Sequence, residues 1–200
     1  MRVAGFVLVG GQSSRMGRDK ARLPVGSHLL VENVARKVAK VAENVSLVGD
    51  PARYADLPFA CIRDLHPGLG PISGIEAALH ASQAELNIIV ACDMPGMEAK
   101  WLADLVAAAE ACSNAAVVAR DAGGVLHPLC AVYRRACIAP VRDAVAAGRL
   151  KLTDLLREIE CATVDLPVAV TNVNTPEEWQ RWLALERGCR PPEAQTTGAG

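Results

Sequence analysis

Phe6-Val7-Leu8-Val9 is an unbroken apolar run that stops at the glycine pair Gly10-Gly11, and this junction constrains the fold more than any other part of the chain. A strand with one wet face alternates apolar and polar residues, whereas a strand covered on both faces of a parallel sheet does not. The run therefore predicts a central strand sandwiched between helices. Further strand candidates follow at Val45-Ser46-Leu47-Val48, Ala60-Cys61-Ile62-Arg63 and Asn87-Ile88-Ile89-Val90-Ala91-Cys92. Between and after them, Val31, Val34, Val38 and Val41, then Ile72, Ile75 and Leu79, then Trp101, Leu102, Leu105 and Val106 recur at helical spacing. Such alternation gives an α/β fold, a three-layer sandwich around a mostly parallel, Rossmann-like sheet. Ala115 to Ala119 and Leu129 to Tyr133, on either side of Gly123-Gly124, add an antiparallel element. Thr175-Pro176-Glu177-Glu178 is a capping box with proline at the first helical position, opening a final helix whose apolar stripe is Trp179, Trp182 and Leu183.

The chain has 200 residues, 51% of them apolar, enough for one well-buried core, so residues 1–188 are expected to form a single domain. Residues 189–200 are small, polar and rich in breakers, and we expect a disordered tail because they cannot offset their ordering entropy. A formal net charge of -1 provides no global field for nucleic acid or an anionic membrane. The partners are expected to be small molecules, with neither nucleic acid nor membrane among them. Seven widely spaced cysteines form no C-x-x-C pair and no Cys/His quartet, which suits reduced thiols. The apolar stretch before Gly10 is too short for a signal-peptide core or a membrane span, so a cytoplasmic location is expected.

In folds of this class ligands sit beyond the carboxyl ends of the strands, and three unusual loops fall there: after Val9, after Arg63 and after Cys92. In the first, Gly10 and Gly11 let backbone N–H groups approach phosphate oxygens, and Arg15 and Lys20 add two cations. The string is neither a Walker A sequence nor a G-x-G-x-x-G fingerprint. Taken alone, a glycine pair serves equally as an ordinary turn. Asp93 ends a buried strand beside this loop. Two like charges 4 Å apart repel by about 4 kcal/mol at an effective dielectric of 20, so a carboxylate beside a polyanion calls for a divalent cation. Magnesium takes oxygen ligands from one or two carboxylates plus phosphates and waters, which makes Asp93 the candidate metal ligand. Asp64 stands at a comparable strand end, where an aspartate also serves as a turn former. His66 and His127 each precede proline, lack neighbours at metal-ligand spacing, and receive no role.

Five segments in order carry a family resemblance: LVGGQSSRMGRDK from Leu8 to Lys20, Asp64 with Gly70-Pro71-Ile72-Ser73-Gly74, Cys92-Asp93-Met94-Pro95, His127-Pro128-Leu129, and Asn172-Val173-Asn174-Thr175-Pro176-Glu177. Together they resemble the molybdenum cofactor guanylyltransferases of the MobA type, over Val3 to about Trp182. The resemblance implies a sheet of the nucleotide-diphospho-sugar transferase type, GTP and Mo-molybdopterin as substrates, and magnesium (Mg2+) as cofactor. It also implies molybdoenzymes or cofactor-delivery proteins as partners. It puts guanine and phosphates on the backbone of Leu8, Val9 and Gly10, with Gly11 beside them. Lys20 would contact GTP, Asp64 would lie on the nucleotide, and Asp93 would hold magnesium. Related cytidylyl enzymes carry alanine in place of Gly10, so the glycine pair favours guanine. Asn172 and Asn174 match the pterin-acceptor region, although Asn-Val-Asn before a capped helix is also ordinary turn chemistry. One departure is Val48-Gly49-Asp50, where the family often has an asparagine that touches the nucleotide. The expected reaction is in-line attack of the molybdopterin phosphate on the α-phosphorus of GTP, with Arg15, Lys20 and Asp93 as the catalytic trio. The alternatives are a nucleotidyltransferase for a sugar 1-phosphate or cobinamide phosphate, and a non-catalytic module that binds GTP or cofactor.

Overall fold

In the computed structural model, which describes residues 1–9 and 19–186, the opening apolar run lies in strand β1 (Val3–Leu8), every residue of which is buried. Its side chains alternate between two separate cores, Val3 and Val7 on one face and Ala4, Phe6 and Leu8 on the other. A strand with two apolar faces needs cover on both. After β1 come the two-residue strands β2 (Pro24–Val25) and β3 (His28–Leu29), then α1 (Leu30–Val38), β4 (Asn44–Gly49), β5 (Ala60–Arg63), α2 (Pro71–Ala81) and β6 (Leu86–Ala91). The chain continues through α3 (Ala99–Ala111), β7 (Ala116–Arg120), β8 (Leu126–Arg134), α4 (Ile138–Ala146), α5 (Leu152–Glu158), β9 (Cys161–Asp165) and α6 (Pro176–Glu186).

The main sheet has seven strands in the order β5-β4-β1-β6-β8-β7-β9. Only β8 runs against its neighbours; the other pairings are parallel. One core packs α1, α3 and α6 against the sheet through residues such as Val34, Leu105 and Trp179. The other packs α2, α4 and α5 through Ile75, Val141 and Leu155. The result is the expected three-layer sandwich with a mostly parallel sheet and an antiparallel insertion. No described helix is long and apolar enough to cross a membrane.

Close packing of β1 on α1 explains one glycine. A Cβ on Gly5 would lie 2.3 Å from Cγ1 of Val38, inside any real contact. The strand order explains where a ligand can sit: the chain leaves β1 for β4 and β5 on one side, then returns to β6 on the other. At such a switch point the loops diverge and leave a crevice beyond the carboxyl ends of the strands.

Candidate active site

The carboxyl ends of β1, β4, β5 and β6 meet at that crevice, and backbone hydrogen bonds tie them together. The Val9 N–H donates to Val48 O at 3.0 Å, Cys92 N–H to Leu8 O at 3.2 Å, and Asp64 N–H to Gly49 O at 3.2 Å. The Leu8 carbonyl and the Val9 amide are thus engaged between strands, and the Val9 carbonyl accepts from the Tyr54 hydroxyl at 2.9 Å. Gly10, Gly11 and Arg15 lie outside the described residues, as does the segment 189–200.

The carboxyl end of β6 brings three of the expected residues together. Lys20 Nζ donates to Asp93 Oδ2 at 2.8 Å and to Asn174 Oδ1 at 3.1 Å. Lys20 starts a short 3-10 turn, Lys20–Arg22, capped by the Asp19 side chain through Ala21 N–H at 3.0 Å. Asn174 arrives because Val173 N–H donates to the backbone oxygen of Asp93 at 2.8 Å while the Val173 side chain is fully buried. Alternation in this extended stretch then sends Asn172 and Asn174 outward. The capping box behind it fixes the register: Glu178 accepts from the N–H groups of Asn174 at 2.6 Å and Thr175 at 3.0 Å, and Thr175 Oγ1 accepts from Glu178 N–H at 3.2 Å.

The donor set of Asp93 fits magnesium. Its Oδ1 is buried with no hydrogen-bond partner among the described residues, leaving one carboxylate oxygen available beside the one that Lys20 holds. Three or more His, Cys, Asp and Glu side chains nowhere gather into a metal-holding group among the described residues. A single carboxylate completed by phosphate oxygens and water is the arrangement magnesium accepts and zinc does not. The neighbouring Cys92 is buried, its thiol pushed up to about 12 by burial and by the adjacent Asp93, and magnesium takes oxygen rather than sulfur ligands.

Two cavities open on this edge of the sheet and share Pro71 at the start of α2. The first, of about 560 Å³, is lined among others by Val9, Asp50, Arg53, Tyr54, Arg63 and Asp64. Asp64 stands at its wall, and its Oδ1 accepts from His66 N–H at 3.0 Å and from the Ser73 hydroxyl, so this oxygen also does the turn-forming work of a strand-end aspartate. Asp50, just after β4, caps the following turn through Ala52 N–H at 3.1 Å and lines the same cavity. Gly70, at φ 83°, enters α2 through a backbone conformation that only glycine adopts freely, and no side chain caps that helix. The second cavity, of about 490 Å³, is lined by Met94, His127, Lys151 and Asn172 among others.

Two cavities that share Pro71 thus flank the start of α2, and Asp93 precedes Met94, which lines the second. The sequence model of the MobA-like NTP transferase domain matches residues 5–164, most of the chain. The chain belongs to that family. A molybdenum cofactor guanylyltransferase of Cereibacter sphaeroides is 35% identical over 94% of this chain and 98% of its own length. Another, of Syntrophotalea carbinolica, is 27% identical over 90% of each chain. The crystal structure of molybdopterin-guanine dinucleotide biosynthesis protein A from Archaeoglobus fulgidus superposes with a TM-score of 0.79 at 25% identity, covering 94% of this chain and 100% of that one. A CMP:2-keto-3-deoxy-manno-octonic acid synthetase complexed with CTP shares the fold alone, with a TM-score of 0.78 at 14% identity.

Within this MobA-like frame, some residues around the site escape sequence reasoning. Asp121, only 7% exposed, gathers Gly123 N–H at 2.9 Å, Val125 N–H at 3.0 Å, Val170 N–H at 3.3 Å and His127 Nε2 at 3.0 Å. These bonds, with that to His127 first, hold its carboxyl down at about 2. One carboxylate thus ties the β7–β8 turn, a wall of the second cavity and the strand of chain leading to Asn172. His127, given no role from sequence, is held at that cavity by this bond. A single aspartate before a glycine pair carries no signal of such reach.

Proposed function

We propose that the chain transfers GMP from GTP to the terminal phosphate of Mo-molybdopterin, giving molybdopterin guanine dinucleotide and pyrophosphate. The observation that carries this reading is the contact of Lys20 with Asp93 and Asn174 beyond the carboxyl end of β6. The nucleotide takes the first cavity, against Val9, Asp64 and the uncapped start of α2, whose N–H groups and dipole favour phosphate. The segment with Gly10, Gly11 and Arg15 supplies amides and a cation to the triphosphate. The pterin acceptor takes the second cavity, where Asn172 offers amide donors and acceptors and Lys151 a positive charge.

The acceptor phosphate oxygen attacks the α-phosphorus of GTP in line. A new P–O bond forms, the bond from the α-phosphorus to the bridging oxygen breaks, and pyrophosphate leaves with that electron pair. A phosphate monoester is already anionic at neutral pH, so no protein nucleophile is required and positioning with charge neutralisation carries the reaction. Asp93 would hold magnesium, whose charge offsets that of the triphosphate when bound. Lys20, neutralised by Asp93 in the ligand-free protein, turns to the leaving phosphates once that carboxylate has another partner. Asn174 is the second acceptor that holds the ammonium in place.

The test offers GTP, CTP and ATP, each with molybdopterin, a sugar 1-phosphate or cobinamide phosphate, and follows pyrophosphate release. GTP with molybdopterin is expected to be the productive pair. Tight GTP binding with no pyrophosphate from any acceptor would identify a non-catalytic module and sink the proposal.

A further inference from the structure

Tyr54 is 1% exposed, yet its hydroxyl lies between two acceptors that stand on either side of residues 10–18: the Val9 carbonyl at 2.9 Å and Asp19 Oδ2 at 2.8 Å. A phenol has one proton, so these two acceptors share it. Burial first, and then the bond to Asp19, raise the phenol far above its ordinary range, so it stays a donor throughout the working pH range. The same Asp19 oxygen accepts from Arg53 Nη2 at 3.1 Å, and the other oxygen caps the Lys20 turn through Ala21 N–H at 3.0 Å. Arg22, at the far end of that turn, donates to Asp56 through Nη1 at 3.0 Å and Nη2 at 2.6 Å, and lies 5.7 Å from the centre of the Tyr54 ring. The segment after β4 therefore grips the Lys20 turn at its cap, Asp19, and at its last residue, Arg22.

We propose that Tyr54 and Asp19 form a clasp joining the roots of the glycine loop and setting Lys20, which makes Tyr54 a positioning residue for nucleoside triphosphate binding. A tyrosine that served packing alone would need one acceptor of any kind. This one holds the carboxylate whose other oxygen caps, through Ala21 N–H, the turn that Lys20 starts. Phenylalanine fills nearly the same volume, so Tyr54→Phe isolates the hydroxyl. Asp19→Asn removes the charged acceptor instead, with its size kept. The clasp rests on the reading that Lys20 contacts the nucleotide.

A double-mutant cycle on GTP affinity, measured by titration with magnesium, tests it, alongside the melting midpoint of each variant. In the wild-type background Tyr54→Phe is expected to weaken GTP binding roughly tenfold, the size of coupling found between residues in one hydrogen-bonded network. In a Lys20→Ala background the same change should weaken it less than about twofold, since there is no ammonium left to misplace. Asp19→Asn should repeat the pattern, and it decides the matter if Tyr54→Phe fails to fold. Equal losses in both backgrounds, or wild-type affinity in Tyr54→Phe, overturn the clasp while leaving the site reading intact. Wild-type affinity in Lys20→Ala itself overturns the site reading and the clasp with it.

Discussion

Lys20 meets Asp93 in a pair whose side chains are only 19% and 15% exposed, so each is the other's main source of compensation in the free protein. Replacing Lys20 with methionine keeps the aliphatic stem and removes the ammonium. Turnover is expected to fall by about 10²–10³-fold, the loss seen when one charge-stabilising donor is deleted, as read by pyrophosphate release. A second prediction concerns Asp121. Its folded carboxyl titrates at about 2, below the ordinary 3.8. A depressed carboxylate contributes stability that is complete above the unfolded value and is lost as pH falls through the folded one. The melting midpoint should therefore drop between about pH 4 and pH 2, and Asp121→Asn should flatten that drop while lowering the midpoint at pH 7. Lys20, Asp93 and Asn174 were legible in the sequence because each stands in a loop at a strand end or before a capping box. Asp19, Tyr54 and Asp121 were not. Their partners lie far along the chain, 35 residues away for Tyr54 and Asp19 and 49 for Val170 and Asp121, and no local pattern encodes such pairings.

Among the elements, α6 shows how a cap reaches the site. Thr175 and Glu178 satisfy each other's N–H groups, and Glu178 also takes the Asn174 N–H. Thr175→Ala should cost about 1 kcal/mol in urea unfolding, and it should raise KM for the acceptor more than KM for GTP because it loosens the Asn172 to Asn174 strip. The same element was legible in advance, since a capping box with proline at the first helical position is a strong local signal. So were the central strands, whose apolar runs need no tertiary information. Other elements left weaker marks. β9 is an edge strand, Cys161–Asp165, with no fully buried residue and no apolar run. α4 carries Pro140 in its first turn, α5 has seven residues, and β2 and β3 have two each. Elements that short hold their shape through packing rather than through periodicity.

At the scale of the whole molecule, strand order decides where chemistry can occur. Because β1 lies between β4 and β6, the carboxyl ends of these strands, with that of β5, border one crevice, and the stretch before α6 brings Asn174 to Lys20 and Asn172 to the second cavity. Two cavities meeting at Pro71 then suit a reaction that joins two phosphorylated molecules. The account stands or falls on Asp93 beyond the end of β6. Pyrophosphate release should be measured with GTP, magnesium and molybdopterin, for the wild-type chain and for Asp93→Asn. The wild type should release pyrophosphate in step with dinucleotide, and Asp93→Asn, still folded, should be slower by at least about 10³-fold. Release by Asp93→Asn at a rate near that of the wild type would contradict the account.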